Sequence, residues 1–297
     1  MNCDKHITQS VNILKHRTKR GFTLIELSIV IVIIGLLVSG VVGGQALIEQ
    51  SKMRELVSQI NQIKLAVDSY KLQHNALPGD HNRASDYWGQ AGNCYADVSG
   101  STDTCDGNGN GYLAYIAPGD TSNVEYEAWH FWKHLENSNF IEGTYSGYSD
   151  NSACDANNFC AQPNINIPKG PIKGTGWFVT SIATFNPTVE RFWMGRANDQ
   201  IRNILAFINP GNQANNRWYG NSLTPKQQYG IDLKMDDGMP YQGLVVDNSG
   251  TCADCSLNCA DADSNEFGNT PPGTTTVNAN YQLSNGSVAC YMFVDLD

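Results

Sequence analysis

Residues 27–48 contain no charged side chain, and most of them are aliphatic. A helix needs about 20 apolar residues to cross the hydrocarbon core of a bilayer, so this run is long enough to span a membrane. Lys19 and Arg20 lie shortly before the run, and basic flanks favour the cytoplasmic side. The sequence therefore predicts a membrane-spanning segment over about residues 22–44, with its amino terminus in the cytoplasm.

The residues in front of this run distinguish it from an ordinary signal peptide. A signal peptide has a shorter apolar core with small residues after it at the cleavage site. Here the small residue Gly21 precedes the apolar run, so cleavage there leaves the hydrophobic segment on the mature chain. Glu26 lies near the tip of the segment, where a carboxylate costs about 2.5–3.5 kcal/mol on insertion scales and usually marks function.

The stretch KRGFTLIELSIVIVIIGLL, residues 19–37, resembles the processing site of type IV prepilins and type II secretion pseudopilins. In that family a prepilin peptidase cuts after the glycine, here Gly21, and methylates the new amino terminus, here Phe22. The resemblance implies that residues 1–21 are a leader and that Glu26, the fifth mature residue, serves assembly. We expect its carboxylate to neutralise the amino terminus of a neighbouring subunit. The alternative is a carboxylate that reaches out to the lipid headgroups.

The apolar run continues into an amphipathic pattern. Apolar residues recur at helical spacing, and they are Met53, Leu56, Val57, Ile60, Ile63, Val67 and Tyr70. The sequence predicts one long helix over residues 22–74 that ends before Pro78. Gly40, Gly43 and Gly44 lie in its middle, where each glycine costs about 1 kcal/mol relative to alanine. We expect a weak or locally melted helix there when subunits pack.

Residues 75–297 have the composition of a loop-rich exported head. Aromatic residues supply a core, and four segments predict strands, namely GWFVTSIATF, RFWMGRA, GLVVDN and ACYMFVDL. The segments SNVEYEAWHFWKHLENSNFI and TPKQQYGIDLKMDDGMP predict helices. We expect an α+β fold in which an antiparallel sheet packs on the second half of the long helix, as the resemblance to pilins also implies.

Charge argues against a nucleic-acid partner. The formal net charge is −10, and the leader holds five of the 19 basic residues and one of the 29 acidic residues. The remainder therefore carries 14 basic and 28 acidic side chains. Because binding to phosphate needs clusters of lysine and arginine, an acidic head is typical of other partners.

Eight cysteines follow the leader, and an even number in an exported domain predicts disulfides. Cys94–Cys105 and Cys154–Cys160 would close short loops, and the other four pair among themselves, with Cys259–Cys290 or Cys252–Cys290 closing the longest loop. The competing interpretation is a metal site at CADCSLNC, which contains Cys252, Cys255 and Cys259. A zinc ribbon needs a second pair of cysteines, and only Cys290 remains.

Two loops resemble the first half of a calcium-binding loop, in which oxygen ligands alternate along the chain. The first places Asp106, Asn108, Asn110 and Tyr112 in this pattern, and the weaker second offers Asp261, Asp263 and Asn265. Neither has the acidic residue of the twelfth position, and the alternative is a turn without an ion. Several pilin-like proteins hold structural calcium in the head, which favours the ion.

No catalytic motif stands out. The chain lacks a GxSxG nucleophile elbow, an HExxH zinc motif and a phosphate-binding glycine loop. His130 and His134 share one helix face, but Phe131 stands where a zinc protease needs glutamate, so we interpret them as histidines at the edge of the core. We therefore expect no enzymatic activity.

The sequence thus predicts a structural subunit, a pilin or pseudopilin of a type IV pilus or a type II secretion filament. We expect it in the inner membrane, with its head in the periplasm, and later in a pilus or pseudopilus or at the cell surface. Its partners would be other pilin-like subunits, the assembly machinery and prepilin peptidase. The size of the head favours a minor subunit. The alternative function is a displayed module that binds a surface, DNA or an exported substrate.

Overall fold

The computed structural model describes residues 22–94, 96–113, 127–148, 161–182, 202–210, 220–240, 243–247, 259–261, 280–290 and 292–296. By its internal contacts the chain divides into Met1–Glu49 and Gln50–Asp297. The helices are α1 (Leu24–His74), α2 (Ser85–Trp88), α3 (Glu127–Asn137) and α4 (Pro225–Met235). The strands are β1 (Gly176–Ile182), β2 (Arg202–Ile208), β3 (Val245–Asp247), β4 (Ala260–Asp261), β5 (Asn280–Tyr281) and β6 (Met292–Asp295).

Helix α1 has 51 residues and confirms the predicted long helix. In its second half, most residues at the predicted helical spacing are buried, among them Leu56, Ile60 and Tyr70, and Met53 and Val57 are partly buried. The helix ends at His74, and the next residue, Asn75, has a φ of 51°. Asparagine tolerates this left-handed conformation, and its N–H donates to the Lys71 carbonyl oxygen over 2.9 Å, which satisfies one of the last carbonyls of the helix.

The main sheet is antiparallel and has the strand order β1-β2-β6-β3. The predicted strands over residues 176–185, 243–248 and 289–296 contain β1, β3 and β6. The predicted strand over residues 191–197 lies outside the described residues. The sequence analysis missed β2, which is one of the two central strands, and the short antiparallel pair of β4 with β5.

The second half of α1 and helix α3 pack on this sheet through aromatic side chains. The rings of Trp129 on α3 and Phe178 on β1 have centroids 5.2 Å apart, and within the sheet those of the cross-strand pair Trp177 and Phe207 lie 4.7 Å apart. The indole N–H of Trp177 donates to Gln59 Oε1 over 2.7 Å, which fixes β1 to α1. This arrangement confirms the predicted α+β class with an antiparallel sheet.

Two lysines of α1 also reach the strand that comes last in the chain. Lys64 Nζ donates to the carbonyl oxygen of Asp295 over 2.6 Å, and Lys71 Nζ donates to that of Leu296 over 3.4 Å. Since a carbonyl oxygen of the backbone accepts these bonds, they fix the position of β6 along α1 irrespective of the side chains of the strand.

Helix α4 is the predicted helix of the segment TPKQQYGIDLKMDDGMP. Thr224 is its N-cap, and its side chain and that of Gln227 form a reciprocal capping box, with Pro225 at the first helical turn. These signals are local in the sequence, which is why this helix is predictable.

Two disulfides lie among the described residues. Cys94 and Cys105 form the predicted local bond, with Cα atoms 5.7 Å apart. Cys259 and Cys290 form the second, with Cα atoms 5.1 Å apart, which is one of the two pairings that the sequence left open. Cys154, Cys160, Cys252 and Cys255 lie outside the described residues.

Candidate functional site

The first candidate site is the start of α1. All large apolar side chains from Phe22 to Ile48 are exposed. The exposed fraction is 87% for Phe22 and 71% for Leu36. Within the described residues, α1 is the helix that is long and apolar enough to cross a membrane. Exposed aliphatic area on this scale is unfavourable in water, so this segment needs lipid or other apolar helices around it.

Glu26 closes the first turn of this helix. Its Oε2 accepts hydrogen bonds from the backbone N–H and the hydroxyl of Thr23, each over 2.8 Å. The backbone N–H of Glu26 in turn donates to Thr23 Oγ1 over 3.3 Å. This is a reciprocal capping box, in which two N–H groups that lack partners in the helix are satisfied by side chains.

The sequence signal for this box is the spacing Thr23-x-x-Glu26, which the sequence analysis did not use. In a single subunit, Glu26 therefore already has a role, because it caps the amino terminus of α1. The assembly role of Glu26 stays a prediction, and it requires a cationic partner beyond the cap. Gly21, at the predicted cleavage site, lies outside the described residues, whereas Phe22 is described and exposed.

Three glycines lie in the exposed part of α1. The helix runs through Gly40, Gly43 and Gly44, and a Cβ atom built at any of them meets no atom within 4 Å. Packing inside one subunit therefore does not require glycine at these positions. Melting of this stretch when subunits pack stays a prediction.

The second candidate site is a corner formed by residues 77–80, which we call the LPGD corner. The two oxygens of Asp80 accept backbone N–H bonds from Gly109, Asn110 and Gly111 over 2.7, 3.1 and 2.6 Å. Successive N–H groups of a loop thus surround a carboxylate. Burial raises the pKa of Asp80, and these hydrogen bonds oppose that shift.

The oxygens of the first predicted calcium loop are already hydrogen bonded. Asp106 accepts from the N–H and the hydroxyl of Ser85, over 2.7 and 2.8 Å. Asn108 Oδ1 accepts from the N–H of Asn110, whose own Oδ1 accepts from the N–H of Tyr112. A cation would have to displace these donors in a loop whose N–H groups already bind the Asp80 carboxylate. Calcium binding here stays a prediction.

The second predicted calcium loop is described only in part. Asp261 belongs to β4, where its backbone pairs with Asn280. Asp263 and Asn265 lie outside the described residues, so calcium binding at this second loop stays a prediction. The sequence analysis did not select Asp232, which lies with Asp236 and Asp237 so that one carboxylate oxygen of each falls within 4.8 Å of the others.

These three carboxylates also serve hydrogen bonds within the fold. Asp232 accepts from the hydroxyl of Tyr281 over 2.8 Å and from the N–H of Gly238 over 3.2 Å. Asp236 accepts from the N–H groups of Leu244 and Val245, so it ties the end of α4 to β3. Burial raises the pKa of Asp232 to about 7.

The raised pKa of Asp232 makes stability depend on pH. The unfolded chain releases this proton near pH 4 and the folded chain near pH 7, so the free energy of unfolding falls as the pH rises through this interval. We expect Asp232→Asn to be more stable than the parent chain at about pH 8, by roughly 2 kcal/mol after solvent screening, and to match it near pH 4. Urea unfolding of the full chain in detergent at both pH values measures this. Equal differences at the two pH values would contradict it.

A comparison with known families supports the interpretation of the first site. Residues 16–42 match the model of the prokaryotic N-terminal methylation motif. No curated protein and no solved structure matches the chain significantly. The match covers the basic residues, the glycine and phenylalanine, the capping box of Thr23 and Glu26, and most of the apolar run. The chain is thus prepilin-like, because it carries the motif that marks type IV pilins and pseudopilins.

Proposed function

We propose that the chain is a structural subunit of a type IV pilus or a type II secretion filament. The observation that carries this proposal is the methylation motif at residues 16–42, which includes the start of α1, together with the exposed apolar side chains from Phe22 to Ile48. The motif supports a pilin-like or pseudopilin-like subunit in general. The apolar helix supports a membrane anchor before assembly and helix burial between subunits afterwards.

The proposal also includes how the chain is processed and where in the cell it is located. Prepilin peptidase would cut after Gly21 and methylate Phe22, and the assembly machinery would then extract the subunit from the inner membrane. The head would face the periplasm first and the filament surface later. The size of residues 75–297 favours a minor subunit rather than the repeating one. The proposal assigns no reaction to the head, in line with the lack of a catalytic motif in the sequence.

Processing is tested at Gly21. We expect Gly21→Ile to leave the protein at precursor length and to keep it out of sheared filaments, because a branched side chain replaces the glycine at the cleavage site. Intact mass spectrometry of the purified protein measures the length and the added methyl group on the parent chain.

The matched control is Gly35→Ala, which adds a methyl group inside the motif where a Cβ atom meets nothing within 4 Å. We expect this variant to be cut, methylated and assembled normally. A Gly21→Ile protein that stayed at full precursor length and still assembled fully would refute the processing mechanism.

A further inference from the structure

One imidazole links the LPGD corner to α3 and to the disulfide loop. His134, on α3, is fully buried. Its Nδ1 accepts a hydrogen bond from the backbone N–H of Gly79 over 2.8 Å. Its Nε2 lies 3.1 Å from the carbonyl oxygen of Cys105, the second half-cystine of the Cys94–Cys105 disulfide. The ring thus connects α3, the corner and the disulfide loop.

These two partners determine where the ring carries its proton. A backbone N–H is always a donor, so Nδ1 must present a lone pair, and a carbonyl oxygen only accepts, so Nε2 must carry the hydrogen. His134 is therefore neutral and in a single tautomer. An imidazolium has hydrogens on both nitrogens, and it is incompatible with the bond from Gly79.

The surroundings of His134 offer little support for a positive charge. Burial lowers its pKa well below the usual range, and the nearby bases His130, His81 and His74 lower it further. The ring of Tyr70 stacks on it at a centroid distance of 6.1 Å, and Tyr70 in turn bonds His81 Nδ1 through its hydroxyl over 2.7 Å. Other charged side chains influence the neighbouring histidines. Lys133 affects the pKa of His130, and that of His81 is affected by Arg83, Asp86 and Asp106.

We propose that His134 is an acid-sensitive latch, which holds the LPGD corner against the disulfide loop at neutral pH and releases the corner when the ring takes up a proton. On release, the N–H of Gly79 loses its acceptor and the loop that surrounds Asp80 loses its support. The two hydrogen bonds of His134 go to Gly79 and Cys105 and to no residue of the sheet β1-β2-β6-β3, so we expect the sheet to stay folded. The proposal does not depend on the filament function.

Hydrogen exchange of the full chain in detergent micelles tests the latch. Protection factors, which correct for the intrinsic pH dependence of exchange, are compared between about pH 7 and about pH 5. These values lie on either side of the ordinary histidine pKa, which the ring regains once the corner is open. We expect protection within residues 77–82, which contain the Gly79 N–H, to fall about tenfold or more, because the opened ring takes up a proton at the lower pH and this favours opening. Protection of β2 and β6 is expected to stay constant.

Two glutamine variants assign the effect to one histidine. His134→Gln has an amide that can accept from Gly79 and donate to Cys105 without taking up a proton, so the acid response of residues 77–82 is expected to disappear. His130→Gln changes the neighbouring buried histidine one turn earlier, and the acid response is expected to remain.

Three results would overturn the latch. They are an unchanged protection of residues 77–82 in the parent chain, a loss of protection that includes β2 and β6 to the same extent, and an undiminished acid response in His134→Gln. If His134→Gln does not fold, ring carbon and nitrogen chemical shifts of His134 in the parent chain decide instead. The proposal requires the hydrogen on Nε2 at neutral pH, and a hydrogen on Nδ1 would refute it.

Discussion

Glu26→Leu is expected to accumulate in the membrane at the parent level and to be lost from filaments by about tenfold or more, since an unpaired charge in an apolar interior costs several kcal/mol. Removing the carboxylate lowers the cost of membrane insertion by about 2.5–3.5 kcal/mol, so anchoring does not suffer. In a filament, however, the amino terminus of the neighbouring subunit would lose its counter-ion. Immunoblots of membrane and sheared-filament fractions measure both quantities.

Glu26→Gln separates the two roles of this side chain. Its amide oxygen still accepts from the N–H and hydroxyl of Thr23, which keeps the cap, but it carries no charge. We expect it to fail in assembly as Glu26→Leu does. Glu49→Gln removes the next carboxylate along α1, outside the motif, and is expected to assemble normally. Normal assembly of Glu26→Gln would mean that the cap, rather than the charge, is what assembly requires.

Gly79→Ala is expected to destabilise the head by about 3 kcal/mol or more, through backbone strain and overlap together. Gly79 has a φ of 84°, and a Cβ atom here would overlap the carbonyl oxygen of Glu127. Because that oxygen belongs to the backbone of the segment that begins α3, it cannot move aside as a flexible side chain would. Urea unfolding of the full chain in detergent, followed by tryptophan fluorescence, gives the free energy of unfolding.

Gly100→Ala is the matched control for Gly79→Ala. Gly100 has nearly the same backbone conformation, with a φ of 81°, but a Cβ atom there meets nothing within 4 Å. It therefore reports the cost of the left-handed conformation alone, about 1–2 kcal/mol. Equal losses in the two variants would show that the overlap with Glu127 is relieved at no cost.

The elements that the sequence predicted are those with local signals. Helix α1 has an uncharged run followed by a helical period, and α4 has its capping box and proline next to one another in the sequence. The start of α1 has the strongest local signal, because the leader, Gly21 and Glu26 lie within a few residues. The capping box of Glu26 with Thr23 could also have been predicted, from the Thr-x-x-Glu spacing of the two residues.

Strand β2 was not predicted because its sequence lacks the alternation of apolar and polar residues that is typical of a strand with one exposed face. Residues 203–208 are all buried, so the alternation of apolar and polar residues that identifies a half-buried strand is lacking. A short run that is buried on both sides cannot be told from part of a helix by period alone. The buried polar side chain of Asn203 forms hydrogen bonds with partners that are distant in the sequence. It accepts from the hydroxyl of Ser181 and donates to the carbonyl oxygen of Gly111.

The contacts of the LPGD corner were likewise not predictable from the sequence, because they join residues that are far apart in the chain. Asp80 meets its donors about 30 residues later in the chain, and His134 meets Gly79 across 55 residues. A sequence pattern shows that the loop of Asn108 and Asn110 is rich in oxygen ligands. It does not show that the N–H groups of the same loop surround a carboxylate, which only the tertiary structure brings there.

The position of β6 sets an order on the folding of the head. Because β6 lies between β2 and β3, those two strands do not pair with each other, and β3 has no place in the sheet until residues 292–295 have been synthesised and delivered. Until then, the edge of β2 that later pairs with β6 stays unpaired, and unpaired strand edges favour aggregation. A head that crosses the membrane during synthesis therefore completes this sheet only after residues 292–295 have crossed, and any factor that protects the β1–β2 pair acts before that moment.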